Sequence, residues 1–139
     1  MRKAIIATLI ATSAAPALGA VQTQGLTEGV WMNPYRSVAV RTGPCGDRIC
    51  GWIVWASASA QADARSSGID RLIGVQLLED YRPQGPNHWT GTVFVPDMNR
   101  RFASEINALS PTSLQIKGCI LHGLICRSQT WNRIERLPQ

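Results

Sequence analysis

Two short cysteine brackets constrain this chain more than any other feature. Cys45 and Cys50 enclose Gly46-Asp47-Arg48-Ile49, and Cys119 and Cys126 enclose Ile120-Leu121-His122-Gly123-Leu124-Ile125. Each bracket holds a glycine-bearing turn beside strand-forming residues. An aromatic-rich run follows each one: Gly51-Trp52-Ile53-Val54-Trp55, then Ser128-Gln129-Thr130-Trp131-Asn132-Arg133. The pattern predicts two β-hairpins, each stapled across its own turn. Four cysteines permit three pairings. The local one, Cys45 with Cys50 and Cys119 with Cys126, is expected because each pair can sit directly opposite across its hairpin. Constraining the unfolded chain in this way stabilises the fold by roughly 2 kcal/mol per bridge. Paired cysteines in a small domain belong to an oxidising compartment.

The N-terminus agrees. Met1-Arg2-Lys3 is a short positive segment, Ala-Ile-Ile-Ala-Thr-Leu-Ile-Ala from Ala4 is apolar, and Pro16 and small residues lead to Leu18-Gly19-Ala20 before Val21. This predicts a signal peptide over residues 1–20 and one mature domain over 21–139, exported to the periplasm. The apolar run falls well short of the roughly 20 residues that span a bilayer, so no integral membrane segment is expected after cleavage. No cysteine near the cleavage point offers a lipid attachment site. The formal charge of +5 includes Arg2 and Lys3, which leaves about +3 for the mature domain. Its basic residues are scattered, whereas nucleic-acid binders concentrate theirs on one face. No nucleic-acid partner is expected, and the domain is read as a monomer.

Apolar and β-branched runs then recur between turns rich in Gly, Pro, Asn and Asp. They predict strands over 29–32, 36–42, 49–55, 73–81, 88–95, 100–106, 112–119 and 124–134, an all-β barrel or sandwich. Residues 56–72, rich in Ala and Ser, break the rhythm and read as a long loop with a turn or two of helix, a candidate lid. Alternation places Val38 and Val40 on one face, and Leu114 and Ile116 inward with Gln115 and Lys117 outward. The last strand differs. Ile125, Arg127, Gln129, Trp131 and Arg133 share a face, so an inward Trp131 brings polar side chains into the interior with it. A buried arginine must be paired or hydrogen-bonded, which implies an internal polar network or a polar cavity; the alternative is that the ends of the strand emerge into solvent and leave the arginines half exposed.

Three blocks resemble a known family. Pro44-Cys45-Gly46-Asp47 through Cys50-Gly51-Trp52-Ile53-Val54-Trp55, Trp89-Thr90-Gly91 continuing through Pro96 to Phe102, and Gly118-Cys119 through Arg133 resemble the signatures of the bacterial domain of unknown function 2147, over residues 27–134. Where that family has Tyr-Asp-Pro and a turn glycine, this chain has Phe94-Val95-Pro96 and Asn99. Asparagine tolerates the left-handed conformation, so the turn is expected to survive. The resemblance implies a lipocalin-like (calycin) fold: an eight-stranded antiparallel up-and-down barrel. It also implies that Arg133, from the last strand, lies over Trp31 of Gly29-Val30-Trp31 and closes one end of the barrel, a structural role for both.

The inventory for catalysis is thin. His88 begins a strand and His122 sits at a hairpin tip, both read as solvent-facing. There is no nucleophile elbow, metal-spaced histidine pair or phosphate-cradling loop, and the cysteines are committed to disulfides. No enzyme activity, metal or cofactor is expected. An interior of eight strands is filled by side chains or holds one small ligand. The candidate ligand-binding residues are Trp52, Trp55, Trp89, Arg127, Gln129 and Trp131, and the expected ligand is small, apolar or amphipathic and envelope-related. The alternative is a protein–protein interaction or inhibitor module of the cell envelope, acting through its stapled hairpin tips, of which the second, Ile120 to Ile125, is unusually apolar for a turn.

Overall fold

The computed structural model describes residues 13–15, 26 and 28–139. Apart from residues 13–15, the expected signal peptide lies outside the described residues. The strands are β1 Gly29–Met32, β2 Val38–Cys45, β3 Arg48–Ala56, β4 Gln76–Pro83, β5 His88–Val95, β6 Arg100–Ser110, β7 Ser113–Ile120 and β8 Ile125–Arg133. Each pairs antiparallel with its neighbour in sequence, and β8 returns to β1, closing an eight-stranded barrel. The one described helix, α1 (Ala58–Ser66), follows β3, and a short 3-10 turn at Pro96–Met98 links β5 to β6.

All eight expected strands form, the first and fifth with the expected ends and the others shifted at one or both. The fourth begins at Gln76 rather than residue 73, because Val75 N–H closes a turn onto Leu72 C=O and Gly74 takes φ +96°. A side chain at that φ would be strained. Asn99 adopts the left-handed conformation at φ 48° and ends the 3-10 turn, as its side chain allows. In the β1–β2 loop, the Asn33 carboxamide oxygen accepts from the backbone N–H groups of Ser37 and Val38. That side chain stands in for a strand partner and turns the chain.

Inward positions build the core. Trp31, Val40, Ile53, Leu78, Tyr81, Ile106 and Leu114 are buried, and Ile116 nearly so. Gly51 lies on the same inner face. A Cβ there would come within 2.8 Å of Val40 and 2.9 Å of Leu78, so two core side chains occupy the space a larger residue would need.

The up-and-down order divides the loops between two ends. One end carries the Cys45–Cys50 hairpin, the 84–87 loop and the 111–112 turn. The other carries the 33–37 loop, α1, the 3-10 turn and the 121–124 tip. The first end is shut. The Arg133 guanidinium lies 4.6 Å from the centre of the Trp31 ring. It also donates to the carbonyls of Glu28 at 3.1 Å and Pro111 at 3.2 Å. Beneath it, the Trp31 indole N–H donates to Thr42 Oγ1. A Cβ on Gly29 would fall 2.8 Å from Arg133 Nη1, which is why glycine precedes this tryptophan.

Both expected disulfides form, Cys45–Cys50 and Cys119–Cys126, one at each end of the barrel. Only the second joins directly opposed residues. In the first hairpin Cys45 faces Arg48 and Cys50 faces Gly43, so the bridge runs diagonally across the ladder, correcting the expectation that it joins facing positions.

Candidate functional site

The end opposite Arg133 opens into a cavity of about 490 Å³. Ligand cavities span roughly 300 to 1,000 Å³, so the volume suits one small molecule. Strand alternation supplies the walls. Leu77 of β4, Val93 of β5, Phe102 of β6 and Ile116 of β7 present apolar side chains, and Gly118 leaves room beside them. From β8 come Ile125, Arg127, Gln129 and Trp131, every second residue of one face. Asn33 and Ser37 border the opening, as do Ser59, Ala60 and Asp63 of α1 and Asp97 and Met98 of the 3-10 turn.

The β8 face therefore divides along its length. Arg133 closes one end over Trp31, while Arg127 and Gln129 line the open cavity and Trp131, buried, sits between. The Trp131 indole N–H donates to Gln129 Oε1 at 3.0 Å, which orients both side chains. Among the described residues Arg127 makes no ion pair, although Asp63 and Asp97 border the same cavity. A cation facing an otherwise largely apolar wall is a receptor for an anionic or strongly hydrogen-bonding group.

The other three candidate tryptophans lie elsewhere. Trp52 faces Arg41 across the ladder and stays half-exposed on the outer surface. Trp55 is two residues from the inward Ile53, yet a bulge intervenes: Val40 pairs with Ile53 and Ala39 with Trp55. The extra residue, Val54, reverses the alternation and turns Trp55 outward, with Ala56 taking the core position. Trp89 does point inward and is buried in the core. It begins β5 at the closed end, opposite Ile106, and so packs the core away from the cavity. The segment 56–72, expected as a candidate lid, does border the opening through Ser59, Ala60 and Asp63 of α1, whereas the 3-10 turn joins the site only through the fold, from a segment far from β8 in sequence.

α1 is lightly held. Ser57 caps it, its hydroxyl accepting from Ala60 N–H, and Ala64 is its buried residue. At its far end the Ser67 hydroxyl donates to Asp97 C=O at 2.6 Å, and Asn99 donates to Ser67 C=O. One small buried side chain and a few hydrogen bonds hold the element that borders the opening.

Two further groups of polar residues lie outside the cavity lining. The Tyr81 and Ser104 hydroxyls are buried near each other, and neither makes a hydrogen bond of ordinary geometry. Burial pushes the Tyr81 phenol well above its usual range, outweighing the opposite pull of Ser104. On the barrel wall Glu105 sits 3.0 Å from Lys117 and 3.7 Å from His88. The hydrogen bond from Lys117 holds that carboxyl below its usual range. His122 is exposed at the hairpin tip. Cys45, Cys50 and Asp80 cluster as metal ligands do, but both sulfurs are spent on their disulfide. Among the described residues no helix is long and apolar enough to cross a membrane.

A search of curated proteins finds no match to the chain. Among solved structures, protein HP1028 from the human pathogen Helicobacter pylori, which belongs to the lipocalin family, is similar in fold. The TM-score is 0.60 at 12% identity, over 78% of this chain and 82% of that one. At so low an identity the likeness speaks for the barrel alone. The model of a bacterial family described as "Uncharacterized protein conserved in bacteria" matches residues 29–133, from the first residue of β1 to the last of β8. The chain belongs to that family, the domain of unknown function 2147, and carries it on a lipocalin-like barrel.

Proposed function

We propose that this protein is an exported, non-enzymatic binding barrel that holds one small amphipathic molecule in the cavity beneath α1. The observation that carries the reading is the exposed Arg127, which makes no ion pair among the described residues and lines the mouth of a largely apolar chamber of about 490 Å³. The apolar body of the ligand packs against Trp131, Leu77, Val93 and Ile116. Its polar or anionic group meets Arg127 and the amide of Gln129. Entry is past α1, whose few anchors let it move without disturbing the barrel. The disulfides are consistent with an oxidising compartment such as the periplasm, and envelope-derived amphiphiles are the ligands we assign. The alternative of an envelope protein partner rests on the exposed tip residues Leu121 and Leu124.

Native mass spectrometry of protein purified from its own envelope, joined to a tryptophan-fluorescence titration with oleate and with a neutral monoacylglycerol, tests the reading. A retained ligand mass and a saturable fluorescence change are expected. Arg127→Gln should weaken oleate about tenfold, the worth of one charge-assisted hydrogen bond, and leave the neutral lipid unaffected. Unliganded mass with no fluorescence response to either lipid overturns it.

A further inference from the structure

The large apolar side chains left in water collect at one end of the molecule. Ile120, Leu121, Leu124 and Ile125 at the hairpin tip, Met98 on the 3-10 turn and Tyr35 in the β1–β2 loop are all exposed, Leu124 by 83% and Tyr35 by 75%. All of them stand around the cavity opening, and four of them also line it. Among the described residues, the opposite, closed end presents Leu109 in its strand ends, and Leu137 is exposed in the segment after β8. Scattered exposed hydrophobics need no explanation, but a rim of them does.

The tip is also held in an unusual form. Leu121 and His122 both take positive φ, 52° and 55°, with Gly123 at 88°. Residues with a Cβ adopt that region at a cost, and persist in it where the surroundings impose it. Here the Cys119–Cys126 bridge clamps the two strands at the base of the turn. Charge follows the same geography. Exposed Arg36, Arg65, Arg71, Arg100 and Arg127 stand at this end against Asp63, Asp70 and Asp97.

We infer that this rim is a docking face for an anionic lipid surface, with the stapled tip as its wedge. Apolar side chains that enter the acyl boundary, ringed by arginines that meet lipid phosphates, are the chemistry of a reversible interfacial anchor. Guanidinium pairs with phosphate through two parallel hydrogen bonds. A protein partner without an acidic surface explains the leucines equally well but not the surplus of arginine at this end. Docked in this way, the cavity opens directly onto the bilayer, and an amphiphile passes between the two without crossing water. This last point rests on the proposed ligand-binding function; the docking itself does not.

Flotation of the purified protein with two vesicle types tests it: phosphatidylcholine alone, and phosphatidylcholine mixed with phosphatidylglycerol. Binding is expected to the mixed vesicles, to weaken as salt screens the arginines, and to be far weaker on the neutral ones. Leu121→Ser with Leu124→Ser, checked for an intact disulfide and near-ultraviolet circular dichroism, should lower vesicle binding about tenfold or more. The same variant should bind free oleate as the wild type does, since neither leucine lines the cavity. Arg36→Gln with Arg65→Gln should flatten the salt dependence. Vesicle binding without oleate binding supports the docking face and removes only the ligand reading. Oleate binding with no affinity for either vesicle overturns the docking face. So does a tip variant that floats like the wild type, or a tip whose loss disrupts only a cross-linked protein complex.

Discussion

Tyr81 shows how one atom sets a local balance. Its ring fills the space above Gly91, where a Cβ would fall 2.7 Å from the ring, yet its hydroxyl is buried with no proper hydrogen-bond partner. Tyr81→Phe keeps the ring and removes that hydroxyl, so it should stabilise the protein by about 1 kcal/mol, seen as a higher midpoint in urea. The same residue sets an alkaline limit. With the folded-state phenol raised above its unfolded value near 10, the native state holds more protons than the unfolded one at higher pH. Stability should be intact below pH ~10 and fall as pH climbs past it; Tyr81→Phe should lose this share of the slope. Gly29 makes a similar point through a clash. Gly29→Ala pushes a methyl group against Arg133 Nη1. The expected outcome is loss of the stacking on Trp31 and about 1 kcal/mol of stability, read from near-ultraviolet circular dichroism and thermal melting.

The two hairpins look alike in the sequence and do different work. Cys50 is buried at the closed end, while Cys126 is exposed at the open one. Cys45→Ser with Cys50→Ser removes a bridge and also leaves a hydroxyl at a buried position. Cys119→Ser with Cys126→Ser removes only the bridge, worth about 2 kcal/mol. The first pair should therefore be the more destabilising in denaturant titrations, by 1 kcal/mol or so. α1 offers an independent check of how loosely the opening is framed. Ser57→Ala deletes its N-cap at a cost of about 1 kcal/mol. Hydrogen exchange of the α1 amides should speed up about fivefold while the barrel amides stay unchanged.

For the barrel as a unit, the central question is whether the open chamber matters to anything but binding. Gly118 borders it, and a Cβ there meets only Val93 at 3.6 Å, an ordinary contact. Gly118→Phe should fill the space without harming the fold, so the thermal midpoint should change little while oleate binding disappears. A variant that loses binding and stability together would show that the chamber is ordinary core. The two ends of the barrel divide the labour: Arg133, Trp31 and Thr42 make one end a rigid plug, and lightly anchored elements frame the other.

Much of this was legible without coordinates because it depends on local periodicity. Strand alternation and turn residues marked eight strands, the cysteine spacing marked both hairpins, and alternation along the last strand put Arg127, Gln129 and Trp131 on one face. Those patterns come from backbone geometry that neighbouring residues alone impose. Trp55 and Trp89 show where the reach ended. A single-residue bulge at Val54 inverts the face of Trp55, and no local signal in the run Gly51-Trp52-Ile53-Val54-Trp55 announces it. Trp89 points inward, but its distance from the opening depends on which end of β5 lies uppermost. The cavity itself, the diagonal first disulfide and the gathering of Tyr35, Met98 and Leu124 around one rim arise only when strands distant in sequence close on one another. Alternation says which way a side chain points; only barrel closure brings distant ones to the same end.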